Sequence, residues 1–92
     1  MATLLHEYWG NEDGGYFSVV SEAFDEKRPL ILPNALLIVS ILADSWHEAM
    51  QRRNDQLDYG SFDSAGVEDN IYSNEEAADQ QAYLTRRFGA MT

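Results

Sequence analysis

The chain contains no cysteine. That excludes a disulfide framework, a thiolate zinc site, an iron–sulfur cluster and a cysteine nucleophile, and it fits a reducing compartment such as the cytoplasm. Basic residues are scarce, six against sixteen acidic ones, for a net charge of −10. An acidic surface repels nucleic acid and anionic lipid, so direct binding to either is not expected. Long hydrophobic runs are missing as well. The most apolar stretch, residues 29–43, is interrupted by Pro33 and Asn34 and falls short of the ~20 residues of a membrane span. Residues 1–9 have neither the basic start nor the apolar run of a signal peptide.

Several catalytic and ligand-binding patterns are also missing. There is no Gly-x-Ser-x-Gly elbow, and Gly14-Gly15 is not followed by the Gly-Lys-Ser/Thr of a phosphate loop. No Asp-x-Asp-x-Asp-Gly run supplies a calcium loop. His47-Glu48 begins a helical zinc motif, but Gln51 stands where its second histidine belongs. Asp44 and His47 could share a helix face, yet two ligands do not make a metal site. No catalytic residue, metal or cofactor is expected.

What remains is a folded chain. Its 92 residues, 45% of them apolar, set the expectation of one domain over 1–92, with a radius of gyration of roughly 12 Å. Leu4, Leu5, Tyr8 and Trp9 recur at helical spacing, and so do the apolar pairs between Tyr16 and Phe24. The competing reading of residues 3–24 is a β-hairpin turning at Asp13–Gly14. Residues 27–33 read as an extended connector, because each proline biases its predecessor away from helix. Asn34 is a plausible N-cap for a long central helix over about 35–56, buried in its first half and amphipathic in its second. Residues 58–72 lack helical period. Ser73 and Glu76 then form a capping box for a C-terminal helix over about 74–88, with acids at its start and Arg86 and Arg87 at its end. The expected fold is mostly α, a small bundle around the central helix. The alternative is α+β with an N-terminal hairpin.

Part of the charge has a local reason. Glu75, Glu76 and Asp79 suit a helix N-terminus, and Glu48 sits one turn before Arg52. The remainder is concentrated at Glu12, Asp13, Asp25, Glu26, Asp58, Asp63, Glu68 and Asp69. Tyr59, Phe62 and Tyr72 are interleaved with the last four. Clustered acids steer a basic partner, and aromatic anchors dominate protein interfaces. These eleven residues are the expected partner-binding surface.

The function this implies is a small acidic inhibitor or adaptor that engages the basic, nucleic-acid-binding surface of another protein. B-DNA carries one charge per ~1.7 Å of axis, so ten charges match about 17 Å of duplex. In size and charge the chain is similar to the small acidic inhibitors of phages and mobile elements, some of which imitate DNA. The second reading is a structural or assembly subunit that self-associates, at the smallest a homodimer. Its motive is the apolar first half of the central helix, more than two short helices can cover.

Overall fold

The computed structural model describes residues 2–63 and 65–89. The fold is α+β, which overturns the expected helical bundle and agrees with the hairpin alternative. Strand β1 (Leu4–Asn11) turns at Glu12–Asp13 into β2 (Gly14–Val19). Helix α1 (Glu22–Ile31) leads to β3 (Leu36–Ala43), then α2 (Trp46–Leu57), a long loop, and α3 (Asn74–Gly89). The three strands form one antiparallel sheet in the order β2-β1-β3.

Each correction has a physical reason. The run Leu36–Ala43 is eight residues long, rich in branched aliphatics and bounded by turn residues, which is the signature of a strand that periodicity alone confuses with a buried helix. Asn34 is not an N-cap; it adopts a left-handed conformation (φ 60°) that turns the chain into β3. Ser45 caps α2 instead, its side chain accepting from the Glu48 N–H. Residues 27–33 are not an extended connector, because α1 runs through Pro29 and ends at Ile31. Two cross-strand fits hold β1 close to its neighbours. A Cβ on Gly15 would run into the Tyr8 ring, and one on Gly10 would fall 2.6 Å from Ile38 Cδ1.

The C-terminal helix forms as its sequence predicts. Ser73 Oγ accepts from the Glu76 N–H at 3.1 Å, and Glu76 Oε1 accepts from the Ser73 N–H at 3.1 Å. The Glu48–Arg52 pair also forms, at 3.7 Å between exposed side chains. No helix of the described residues is long and apolar enough to cross a membrane.

The molecule is flat, 39 × 36 × 20 Å, with a radius of gyration of 13.6 Å against the roughly 12 Å of a compact chain this long. Its apolar core is correspondingly thin. One cluster gathers Ala2, Leu4 and Tyr72, and another Ile41, Ala43 and Ala49. A fully buried histidine lies among the aromatic rings of the same sheet face. His6 stacks on Phe17 with ring centroids 5.6 Å apart, and Tyr72 and Trp46 flank it at 5.4 and 6.1 Å. Its Nδ1 donates to the Ile41 carbonyl at 3.3 Å, which leaves Nε2 to accept from the Tyr72 hydroxyl at 2.6 Å.

Burial lowers the His6 pKa from its ordinary value, against the opposing pull of its backbone hydrogen bonds. Burial, with the negative Glu76 and Asp69 nearby, pushes the Tyr72 hydroxyl up to about 12, so it remains a donor at neutral pH. The sign for stability follows. Below the unfolded value of 6.5 the unfolded chain binds a proton that the native site resists, so stability falls as pH drops through that value. In urea titrations, wild type should lose stability between about pH 7.5 and about pH 5.5, and His6→Gln should flatten that slope. Tyr72→Phe should cost about 1–2 kcal/mol at neutral pH by leaving Nε2 without its donor.

Candidate partner-binding surfaces

The other sheet face is built around a second buried polar residue. Glu7 follows His6 on β1 and therefore points the opposite way. Arg87 reaches it from the end of α3, with Nη2 3.0 Å from Oε1 and 3.2 Å from Oε2. The Trp9 indole donates to the same Oε1 at 3.1 Å, and the Arg28 guanidinium lies over the Trp9 ring at 3.9 Å. Asp25 joins the group from α1. It accepts from Arg28 at 2.9 Å and from the Tyr83 hydroxyl, and it lies 3.6 Å from Arg87 Nε. Burial works against the Arg87 charge, but the hydrogen bond and attraction of Glu7, with Asp25 and Tyr83 adding, outweigh it and raise its pKa. Burial, then the bond to Asp25, pushes the Tyr83 hydroxyl up to about 12.

This network pins α1 and α3 to the sheet, and Gln80 completes the attachment. Where β2 leaves the sheet, the Gln80 carboxamide takes the place of the missing strand residue. It accepts from the Leu5 N–H at 2.8 Å and donates to the carbonyls of Leu5 and Val20 at 2.9 and 3.0 Å.

The eleven residues expected to bind a partner are divided among three elements and serve different ends. Glu12 and Asp13 are exposed at the β1–β2 turn, where the Asn11 side chain accepts from the Asp13 N–H. Asp25 is held in the network above, while its neighbour Glu26 is exposed. Asp58 is the left-handed C-cap of α2. Asp63 accepts from the Ala65 N–H within the loop. Asp69 accepts from the His47 N–H at 2.9 Å, at the start of α2. Phe62 lies against the His47 ring, and Tyr72 is core. Tyr59 and Glu68 are exposed. Asp25, Phe62, Asp63, Asp69 and Tyr72 are thus engaged by contacts within the fold, and the eleven form no single surface. Asp44 and His47 also separate: Asp44 accepts from Thr3, and His47 turns to the Val67 carbonyl. No group of three metal-ligating side chains exists among the described residues.

The fold does bring other acids together. Glu22 and Glu26 of α1 face Glu76 and Asp79 of α3 across a groove of about 620 Å³, floored by Leu4, Val19 and Val20. All four carboxylates belong to exposed residues. The cation at this groove, Arg86, pairs loosely with Glu22 at 3.4 Å, both side chains more than 60% exposed. Of these four acids, sequence reasoning had singled out Glu26 alone. In the sequence, capping accounts for Glu76 and the helix dipole for Asp79, yet residues with such local roles can also line a groove.

A second surface has the opposite character. β3 is an edge strand, and Leu36, Leu37, Ile38 and Leu42 are each at least 45% exposed. Alongside it a groove of about 640 Å³ runs between Ser40, Ile41 and Leu42 of β3 and Arg52, Asp55 and Gln56 of α2.

Compared with protein-family models, with curated proteins and with solved structures, the chain gives no match.

The buried network makes the two adjacent arginines of α3 unequal. Arg87→Ala should cost about 3 kcal/mol in urea denaturation, since it leaves Glu7 buried without its partner. Arg86→Ala should stay within about 0.5 kcal/mol of wild type.

Proposed function

We propose that the chain is an acidic protein-binding module, an inhibitor or adaptor that receives a basic segment of a partner protein in the groove between α1 and α3. The observation that carries this reading is the convergence of Glu22, Glu26, Glu76 and Asp79 on one apolar-floored groove, facing a lone arginine. Lysine and arginine side chains suit such a site, because their aliphatic stems cover apolar surface while their charged heads meet the carboxylates at the rim. The net charge of −10 supplies long-range steering toward a basic surface. Proteins that handle nucleic acid expose such surfaces, so a partner of that class, met in the cytoplasm, is the reading's natural extension. Imitation of DNA is its strongest form, with carboxylates in place of phosphates.

The test is a titration of the whole protein with a fluorescent arginine- and lysine-rich peptide. Binding should weaken steeply as salt rises through the range in which the Debye length shrinks from about 30 Å to about 8 Å. The double variant Glu26→Gln/Asp79→Asn should weaken it by roughly threefold to tenfold. Glu12→Gln/Asp13→Asn, at the distant turn, should change it little. Affinity indifferent to salt, or equal loss in both double variants, would remove the groove from the account.

A further inference from the structure

The edge of β3 lacks most of the devices that keep sheet edges from pairing. Leu36–Ala43 contains no lysine, no proline and no charge of either sign. Its one irregularity, the bulge opposite Tyr8 and Trp9, lies toward the start of the strand and leaves Val39–Ala43 in regular register with β1. Eight residues at ~3.4 Å give about 27 Å of unpaired backbone. The opposite edge differs: β2 is shorter, opens with two glycines and packs against α1.

We infer that the β3 edge is the seat of a homodimer, in which two copies pair β3 with β3 antiparallel about a two-fold axis and form one continuous six-stranded sheet. Three observations select a second copy as the occupant. The first is charge. Two bodies at −10 repel each other wherever their acids meet, and residues 29–43 are the longest stretch of the chain with no charged residue. The second is symmetry. An antiparallel strand pair is self-complementary about a two-fold, so one edge supplies both halves of the contact. The third is the groove beside the edge. A two-fold perpendicular to the sheet keeps both α2 helices on the same face. Arg52, which pairs loosely with Glu48 at 3.7 Å, and Asp55 line that groove, so the operation brings one residue of each sign from either copy to the same face. Leu36 and Leu42, 74% and 59% exposed, lose water on the same contact.

This dimer does not depend on the acidic groove, and salt separates the two. Salt screens the repulsion between copies, so self-association should strengthen as salt rises, whereas binding of a basic peptide should weaken.

Sedimentation equilibrium of the full chain is the test. The mass should climb with concentration from 10.4 kDa to twice that value and stop there. Leu36→Lys and Leu42→Lys, both at exposed positions, should hold the chain at 10.4 kDa with an unchanged circular dichroism spectrum and with the urea midpoint that wild type shows at concentrations where it is a monomer. Arg52→Asp should weaken the dimer by about tenfold, and adding Asp55→Arg should restore it. Glu26→Gln/Asp79→Asn should dimerise like wild type, even if it no longer binds the peptide. A chain that stays at 10.4 kDa at every concentration overturns the proposal. So does a dimer indifferent to both lysines, or a mass that grows beyond two copies, which is the mark of head-to-tail pairing of unlike edges.

Discussion

Two adjacent residues of the central strand, His6 and Glu7, are both buried and point to opposite faces of the sheet. A polar group taken out of water must find its partners inside the protein; the Trp9 indole meets Glu7 from two residues away, but the decisive partners come from far along the chain. The partner of His6 is Tyr72, 66 residues away, and that of Glu7 is Arg87, 80 residues away. The rest of the architecture follows from meeting these two demands. On the His6 face, the Tyr72 hydroxyl fixes the end of the long loop, which is laced to α2 through the Trp46 N–H bonded to the Asn70 carbonyl and the Tyr72 N–H bonded to that of Asp44. On the Glu7 face, Arg87 holds the last turns of α3, and Asp25 ties α1 to the same guanidinium. A thin apolar core is thus supplemented by two polar contacts, one on each side of β1.

How much of this was legible depended on whether the cause was local. The capping box of Ser73 and Glu76, the charge order along α3 and the Glu48–Arg52 pair are short-range effects, and each was readable from spacing alone. Strand β1 was not. Leu4, Leu5, Tyr8 and Trp9 satisfy a helical period, and His6 and Glu7 disguise a strand buried on both faces, because neither looks like a core residue. The physical use of the doublet His6-Glu7 is to place one buried polar group on each face of the sheet. Strand β3 was obscured for the converse reason. Its apolar residues are not all buried, and an uncharged run read as a helix core turned out to be an exposed edge. Three of the residues expected on a partner surface were obscured on the same ground: the places of Asp25, Asp69 and Tyr72 are set by contacts with residues far along the chain.

The sixteen acids therefore divide by occupation. Glu7, Asp25, Asp44, Glu48, Asp55, Asp63 and Asp69 accept hydrogen bonds within the fold, and so does Glu76 in its capping box. Glu22, Glu26, Glu76 and Asp79 converge across two helices. The β3 edge carries none. One small body thus offers two surfaces of contrasting physics, one governed by charge and the other by apolar contact and backbone pairing.

The attachments made by Gln80 and Arg87 also bear on how the chain is made. All three strands have been synthesised by residue 43, but the groups that satisfy Leu5, Val20 and Glu7 follow about forty residues later. At about 5–20 residues per second that interval lasts roughly 2–9 s. For that time Glu7 lacks Arg87, and the Leu5 N–H and Val20 carbonyl lack Gln80. The final turns of α3 act as a closing latch, because the sheet's buried polar groups are fully partnered only once Gln80 and Arg87 have been made.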